Sequence, residues 1–204
     1  MFDPVVTLYV IENEPQRSTD QTVQTILRHH LSPAQLLSEN ALLIARAPTG
    51  KPYLPGHDGL HISITHSGKW FVCAIGPVEL GIDLQEHTMH PGETKQEALT
   101  RYCKIARRFF HPAEAAYVAE SPETRFFPVW SAKESFVKYT GQGMTKGFDW
   151  FNVLPGNGEF PHDLPWSAQA VSFRHRAFGD DYSFCMCTPI PCNWHWVHCN
   201  FDNL

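Results

Sequence analysis

The chain has 204 residues, of which 43% are hydrophobic and 18% are charged, and its formal net charge is −5. This length suits one large domain or two small, tightly joined halves, and the apolar fraction is enough for an ordinary core. The mildly acidic balance argues against a general nucleic-acid-binding protein. No segment approaches the roughly 20 apolar residues of a membrane span, and the N-terminus lacks the features of a secretory signal. We therefore expect a cytoplasmic protein that neither crosses nor binds a membrane.

The first 90 residues alternate between strand-like and helical patterns. Residues 5–11 predict a strand, and residues 19–31 predict a helix capped by Ser18 or Thr19. Ser32 and Pro33 begin a short second helix. The sequence then favours four more strands, at residues 42–45, 60–64, 70–75 and 78–84.

The second part repeats this order of helices followed by strands. Residues 93–117 are helical with a break at His111-Pro112, and a further helix covers residues 130–139. The remaining strand-like runs are at residues 150–153, 168–173, 182–187 and 194–199. The element order predicts an α+β fold of two similar halves, residues 1–90 and 91–204, which together form one domain.

Cysteine and histidine residues are concentrated near the C-terminus. Because the expected location is reducing, we predict free thiols in the core and no disulfides. A zinc site is the alternative, but the spacing fits no standard paired-cysteine pattern, and residues 185 and 187 share one face of a predicted strand. The group consists of Cys185, Cys187, Cys192, His195, His198 and Cys199.

Residues 81–85, Gly-Ile-Asp-Leu-Gln, predict a strand end that carries two oxygen ligands. Side chains two residues apart on a strand point to the same face, so Asp83 and Gln85 project together while Ile82 and Leu84 face the core. A carboxylate and an amide oxygen make a site suited to Mg²⁺. The alternative is that Asp83 caps a turn.

The helix at residues 130–139 places Glu134 and Lys138 four residues apart on one face. One interpretation is a surface salt bridge that contributes a few tenths of a kcal/mol. Aromatic residues flank the helix, however, and a half-buried Glu beside a Lys is well placed for a metal or a phosphate. Gly141 and Gly143 end the helix and let the backbone turn close to a ligand.

A third segment combines residues 50–53, Gly-Lys-Pro-Tyr, with the predicted strand end at residues 61–68. Ser63 and Thr65 alternate with isoleucines and are followed by His66. Hydroxyl, imidazole and backbone N–H donors together are the ingredients of an anion site. A lone histidine is usually structural, so both interpretations stay open at this point.

Taken together, these segments resemble the 4′-phosphopantetheinyl transferase superfamily, in its larger, two-halved (Sfp-type) branch. The family pattern is Gly-Lys-Pro, then Ser-His-Ser-Gly, Gly-x-Asp-x-Glu and Trp-x-x-Lys-Glu-x-x-x-Lys-x-x-Gly-x-Gly. Its counterparts here are Gly50-Lys51-Pro52, Thr65-His66-Ser67-Gly68, Gly81-Ile82-Asp83-Leu84-Gln85 and the segment from Trp130 to Gly143. The last match is long and specific, whereas the Asp segment is short.

The resemblance implies an enzyme that moves the 4′-phosphopantetheine group of coenzyme A onto a serine of an apo acyl or peptidyl carrier protein. Coenzyme A would lie in the cleft between the halves, and Asp83 and Glu134 would hold Mg²⁺ against its pyrophosphate. Lys138 would contact the phosphates and protonate the departing adenosine 3′,5′-bisphosphate. Glu134, directly or through a metal-bound water, would be the general base. The resemblance further assigns coenzyme A binding to Arg28, Lys51, Pro52, Thr65 and His66.

Two departures from the family pattern affect this assignment. Gln85 stands where many members have a metal-binding Glu; an amide oxygen still ligates, but the metal should bind more weakly. Glu86 does not replace it, because a residue one position along a strand faces the other way. No Lys or Arg occurs between Met1 and Arg17, where some relatives bind the 3′-phosphate. The alternative function is therefore a catalytically weak or inactive module that binds coenzyme A or a carrier protein.

The sequence does not name the carrier. Carriers share an acidic helix beside their serine, and such a helix could dock near Lys104, Arg107 and Arg108. Two halves in one chain predict a monomer, because the cleft needs no second subunit.

Overall fold

The structure is a computed structural model that describes residues 3–14, 16–143, 147–156, 160–161 and 163–201. The helices in this part of the chain are α1 (Thr19–His30), α2 (Pro33–Leu36), α3 (Lys95–Phe109), α4 (Pro112–Glu120) and α5 (Pro122–Thr140). The strands are β1 (Val5–Glu12), β2 (Ala45–Arg46), β3 (Pro52–Tyr53), β4 (His61–Ser67), β5 (Trp70–Gly76), β6 (Gly81–Glu86), β7 (Pro165–Ala168), β8 (Val171–Phe178), β9 (Tyr182–Thr188) and β10 (Asn193–His198). Within the described ranges, no helix is long and apolar enough to cross a membrane.

Two four-stranded sheets organise the molecule. The first has the order β10-β1-β5-β4, the second has the order β6-β9-β8-β7, and β2 pairs separately with β3. β10 runs parallel to β1, whereas the other paired strands are antiparallel. Mainly antiparallel sheets with separate groups of helices define an α+β fold, which confirms the predicted fold class.

The sheets do not divide the chain at residue 90, the boundary expected between the halves. β6 precedes that residue but pairs with β9 in the second sheet, and β10 lies far beyond it but pairs with β1 in the first. Trp194 and Trp196 of β10 pack against the apolar core between the sheets. Burial of these side chains favours the position of β10 in the first sheet. The similarity of the two halves stays a prediction.

Three apolar clusters hold the layers together. Val23, Ile26 and Leu27 of α1 pack against one face of the first sheet. The other face packs on β6 and β9, and α3, α4 and α5 cover the far side of the second sheet. The periodicity of α1 predicted its buried face, and the predicted cap is Ser18, whose hydroxyl accepts the N–H of Gln21.

Helix α5 begins at Pro122, well before the predicted start at residue 130. Proline suits the first position of a helix, but Pro128 lies inside this one, where it removes a backbone donor. The burial of Phe126, Phe127 and Val129 offsets that loss. The helix ends as expected at Gly141, whose φ of 65° lies in the left-handed region.

The strand predicted at residues 150–153 is wrong, because these residues form no strand. Phe151 and Val153 are buried as in a strand, but their backbone groups bind side chains. The carbonyl of Phe151 accepts from Lys133 Nζ at 2.8 Å, and the N–H of Val153 donates to Glu114 Oε1 at 2.7 Å. The side chains of the buried Glu114–Lys133 ion pair thus satisfy backbone groups that strand hydrogen bonds would otherwise satisfy.

Two other strand predictions need correction. The run at residues 168–173 spans the turn between β7 and β8, where Gln169 and Ala170 have φ values of 53° and 59°. Two consecutive positive φ values form a tight hairpin turn of the mirror-image kind. The run predicted at residues 42–45 contributes only its last residue, Ala45, to the short strand β2.

Candidate active site

Hydroxyl groups join the two sheets along β4 and β6. Every second backbone N–H of β6 points away from β9 and donates to a hydroxyl of β4. These bonds are Ile82 N to Ser63 Oγ (3.0 Å), Leu84 N to Thr65 Oγ1 (3.1 Å) and Glu86 N to Ser67 Oγ (2.9 Å). The alternation of Ser and Thr with isoleucine, which suggested an anion site, thus also builds the junction between the sheets.

Gly81 allows α5 to lie directly against β6. A Cβ atom at this position would stand 2.1 Å from the carbonyl oxygen of Ser135 and 2.2 Å from the backbone nitrogen of Tyr139. Any side chain would therefore push the helix away from the strand. This close approach brings Asp83 of β6 next to residues of α5.

Asp83 is a buried carboxylate, 6% exposed, that has only part of its hydrogen-bonding capacity satisfied. Its Oδ1 accepts from Lys138 Nζ at 2.8 Å and from Thr65 Oγ1 at 3.2 Å. Its Oδ2 is buried and has no hydrogen-bond partner among the described residues. Because a buried carboxylate oxygen without a donor is costly, this atom is poised to receive a cation or a further donor.

Glu134 lies one turn before Lys138 and is electrostatically coupled to Asp83. Burial is the main reason why the pKa of Glu134 is raised to about 7, and the negative charge of Asp83 adds to this rise. The positive charge of Lys138 opposes it. Lys138 binds Asp83 across the junction, so the surface salt bridge considered for Glu134 and Lys138 is not what the structure shows. The structure brings Asp83, Glu134 and Lys138 together around one depression, which we call the acidic depression. Gln85, Trp130, Thr65 and His66 complete its lining.

The acidic depression fits a hard divalent cation. No three His, Cys, Asp or Glu side chains converge on one point in the described part of the chain. Mg²⁺ does not require three, because proteins usually hold it with one or two carboxylates plus substrate phosphates and water. The unpartnered Oδ2 of Asp83 can accept such an ion, and a bound cation would offset both the burial of Glu134 and the repulsion from Asp83 that raise the pKa of Glu134.

Gln85 and Glu86 point to opposite sides of β6, as expected. Gln85 lines the acidic depression, and its Nε2 donates to the carbonyl of Glu86 at 3.1 Å. The Glu86 carboxylate instead accepts from the hydroxyl of Tyr182 at 2.8 Å.

A larger cleft of about 400 Å³ adjoins the acidic depression, and we call it the main cleft. The two share Ile64, His66, Glu134 and Lys138. Its other walls come from the loop before β3, from β4 and from the end of α5. The lining residues outside the shared four include Arg46, Thr49, Gly50, Lys51, Pro52, Ser63, Gly141 and Gly143. The main cleft therefore carries three cationic side chains, Arg46, Lys51 and Lys138, which suit an anionic ligand.

Each of three cations that line the main cleft has a carboxylate partner. Lys138 binds Asp83, as described above. Lys51 Nζ lies 2.6 Å from Glu79 Oε1, and Arg46 Nη2 lies 2.5 Å from Asp20 Oδ1. Arg46, Asp20 and Glu79 were not predicted from the sequence as site residues. The position of Arg46 shortly before the Gly-Lys-Pro segment was the only signal that could have found it.

The structure does not bring every candidate cation to the cleft. Arg28 is exposed on α1 and lines a separate shallow depression together with Arg17.

Lys133, which directly precedes Glu134, is fully buried. Its ammonium lies 2.6 Å from Glu114, and both side chains are 0% exposed. Desolvation lowers the pKa of Lys133 to about 8, against the opposing effect of Glu114. This pair ties α4 to α5 and so fixes which face of α5 carries Glu134 and Lys138.

The cysteines do not contribute to the site. All six are free thiols, as predicted. Burial raises the pKa of Cys73 and of Cys185 to about 12, so these thiols stay protonated and unreactive. The residues proposed for carrier docking, Lys104, Arg107 and Arg108, are exposed on α3.

Comparison with known proteins matches this chain to one family. The family model described as the 4′-phosphopantetheinyl transferase superfamily matches residues 79–187, which is more than half of the chain. A 4′-phosphopantetheinyl transferase from Bacillus subtilis is 34% identical over 147 residues, which cover 70% of this chain and 61% of the relative.

Two further relatives align over more of their length. The 4′-phosphopantetheinyl transferase Sfp of Bacillus subtilis (strain 168) is 29% identical over 171 residues, 81% of this chain and 71% of the relative. The 4′-phosphopantetheinyl transferase psf-1 of Bacillus pumilus is 28% identical over 173 residues, 82% of this chain and 70% of the relative. The family match includes β6, α5 and the acidic-depression residues that these two elements carry, whereas Thr65 and His66 lie before the matched range. The chain therefore belongs to the 4′-phosphopantetheinyl transferase superfamily.

Proposed function

We propose that this chain transfers the 4′-phosphopantetheine group of coenzyme A to a serine of an apo acyl or peptidyl carrier protein, with Mg²⁺ as cofactor. Adenosine 3′,5′-bisphosphate would be the second product. The observation that carries the proposal is the pairing of Asp83, whose buried Oδ2 lacks a partner, with Glu134, whose pKa is raised, at the edge of a cationic cleft. The names of the relatives support the same activity.

In this proposal the main cleft binds the phosphates of coenzyme A. Arg46, Lys51 and Lys138 supply positive charge, and His66 is exposed at the point where the cleft meets the acidic depression. Arg46 offers charge for the 3′-phosphate that the N-terminal segment does not provide. Arg28 faces a different depression, so a role in binding coenzyme A would require the ligand to extend beyond the main cleft.

Asp83 and Glu134 would hold the metal, with the amide oxygen of Gln85 as a third candidate ligand. When bound there, Mg²⁺ would neutralise the pyrophosphate and make the phosphorus more electrophilic. Phosphoryl-type transfers depend mainly on positioning and electrostatics, which is what a rigid junction between β6 and α5 supplies.

Proton transfer would use two residues of α5. The serine oxygen forms a bond to the β-phosphorus, and the bond from this phosphorus to the bridging oxygen breaks. Glu134, directly or through a bound water, would accept the serine proton, because its carboxylate lies in the acidic depression beside Asp83 and Lys138. Lys138 would donate a proton to the departing phosphate, and Asp83 holds its ammonium in place at 2.8 Å.

The test is incubation with coenzyme A, Mg²⁺ and a panel of apo-carrier proteins, read by intact mass of the carrier. The unchanged chain should add one phosphopantetheine group per carrier. Glu134→Gln should lower the rate by about 100-fold or more, because it removes both the base and a metal ligand. The matched control is Glu14→Gln, which removes a carboxylate paired with Arg17 outside the main cleft.

The outcomes separate the possible functions. Turnover by Glu134→Gln at the unchanged rate would contradict the assignment of the site. Coenzyme A binding without any mass gain on any carrier would favour the inactive binding module. We also propose that the chain acts as a monomer, since β6 and α5 of one chain form both sides of the acidic depression. We propose a cytoplasmic location because free thiols suit a reducing compartment. Elution as a stable dimer would contradict the proposed monomeric state.

A further inference from the structure

Glu79 lies beside the main cleft and makes three polar contacts. Its Oε1 lies 2.6 Å from Lys51 Nζ and accepts from its neighbour's backbone N–H, Leu80 N, at 3.2 Å. Its Oε2 lies 3.4 Å from His61 Nδ1. Glu79 precedes the Gly-Ile-Asp-Leu-Gln segment and is in none of the segments that resemble the family pattern. Groups on three sides hold its carboxylate in place.

Lys51 is the residue that Glu79 acts on. Its side chain is only 17% exposed, and its ammonium also donates to the carbonyl oxygen of Tyr139 in the last turn of α5. A lysine ammonium has three N–H donors, so Glu79 and Tyr139 leave one for a ligand. Lys51 thus lines the main cleft with its position fixed and its charge already compensated.

A fixed carboxylate beside a cleft cation opposes the binding of an anionic ligand. The Coulomb attraction that Lys51 offers a phosphate is offset by the repulsion from Glu79, which lies within contact distance of the same ammonium. Because Glu79 is 44% exposed, solvent screens this repulsion in part, and the expected effect is moderate.

We propose that Glu79 is an internal counter-ion of the main cleft, which fixes the position of Lys51 and lowers the affinity for coenzyme A. This inference rests on the proposed function, since it takes coenzyme A as the ligand. Glu79 touches no reacting group in this proposal, so it acts on binding through Lys51 and leaves the chemical step unchanged.

The experiment measures coenzyme A dissociation constants by calorimetry for the full chain, three single variants and one double variant. Glu79→Gln keeps an oxygen acceptor for Lys51 but removes the charge, so binding should tighten by about three- to fivefold. The Michaelis constant for coenzyme A should fall by the same factor while kcat stays the same. Added salt should shrink the difference, since it screens a half-exposed charge.

The second variant, Lys51→Met, tests whether the effect passes through Lys51. It should weaken binding alone, and in this background Glu79→Gln should no longer tighten binding. The third, Glu14→Gln, removes one negative charge outside the main cleft and should leave the dissociation constant unchanged.

Two results would overturn the inference while the proposed function stands. One is unchanged affinity in Glu79→Gln; the other is equal tightening with and without Lys51, which would indicate a long-range effect of net charge. Failure of the unchanged chain to bind coenzyme A would overturn the proposed function and this inference together.

Discussion

Glu134 occupies an environment that penalises its charge. Burial and the neighbouring Asp83 raise its pKa from 4.5 to about 7, although Lys138 partly compensates. A glutamate exposed to solvent would avoid this cost of burying its charge. The arrangement is typical of sites where the protein bears a cost for function.

This environment predicts a pH dependence of stability. The folded state binds the Glu134 proton more tightly than the unfolded chain, so the resulting stabilisation is complete below the unfolded pKa of about 4.5 and is lost as the pH rises through about 7. Without divalent metal, Glu134→Gln should therefore gain stability relative to the unchanged chain between about pH 5 and about pH 8. Urea unfolding of both proteins in a chelating buffer measures this difference. A difference that does not change with pH would contradict the raised pKa.

Gln85 gives a second prediction at this scale. Gln85→Glu adds a negative charge to the acidic depression, so it should lower the Mg²⁺ concentration needed for half-maximal transfer. The rate is measured against Mg²⁺ at saturating coenzyme A. Glu86→Gln is the control, because Glu86 faces Tyr182 on the other side of β6. An unchanged or higher Mg²⁺ requirement in Gln85→Glu would show that Gln85 does not ligate the metal.

The contact between β6 and α5 sets the geometry of the site. Asp83 lies on the strand and Glu134 and Lys138 lie on the helix, so the distance between these two elements fixes how the three side chains meet. Gly81 permits the close approach, and the buried pair of Glu114 and Lys133 fixes the rotation of α5. Removing one member of such a pair is strongly destabilising, because a charge is left buried without its partner.

Gly81→Ala tests the contact between strand and helix. The added methyl group would lie within 2.2 Å of two backbone atoms of α5, so the elements must separate. We expect a loss of about 2–3 kcal/mol in the free energy of unfolding, together with weaker transfer activity. Gly156→Ala is the matched control, because nothing lies within 4 Å of its added Cβ. Equal stability of the two variants would contradict the proposed role of Gly81.

The sequence located these elements because their periodicity and their ends are local features. Ser18 and Gly141 marked helix ends, and alternation along β6 placed Asp83 and Gln85 on one face. The wrong strand at residues 150–153 has a different origin. Glu114 and Lys133, distant in the chain, bind the backbone there, and no local pattern reveals them.

The carboxylate partners of the cations in the main cleft could not be predicted from the sequence either. Lys51 and Lys138 could be nominated from the motifs, but the motifs do not contain Glu79, and spacing paired Lys138 with Glu134. The position of Arg28 in the first helix suggested a place in the cleft, whereas Arg46 of the short strand β2 lies there instead. These contacts depend on packing between elements, which periodicity does not encode.

At the scale of the molecule, side-chain hydroxyls join the two sheets in place of a backbone ladder. β4 and β6 are edge strands of different sheets, and Ser63, Thr65 and Ser67 link them. The main cleft and the acidic depression both open along this junction. The site therefore exists only when both sheets are formed and in contact.

Thr65→Val tests this junction. The substitution keeps the shape of the side chain but leaves the N–H of Leu84 and one interaction of Asp83 unsatisfied, at a cost of about 1–3 kcal/mol. Thr65→Ser is the control, since it keeps the hydroxyl and should lose less stability. The free energy of unfolding from urea titration measures both. Equal losses would show that the methyl group of Thr65, and not its hydroxyl, stabilises the junction.

The parallel pairing of β10 with β1 has a consequence for biosynthesis. A ribosome makes β1 early and β10 very late, so a partly made chain carries β1 with one side unpaired. Residues 6–11 of this strand are almost entirely apolar, and an open edge of that kind invites strands from other nascent chains. Chaperone protection during translation should therefore matter most in the interval before β10 emerges.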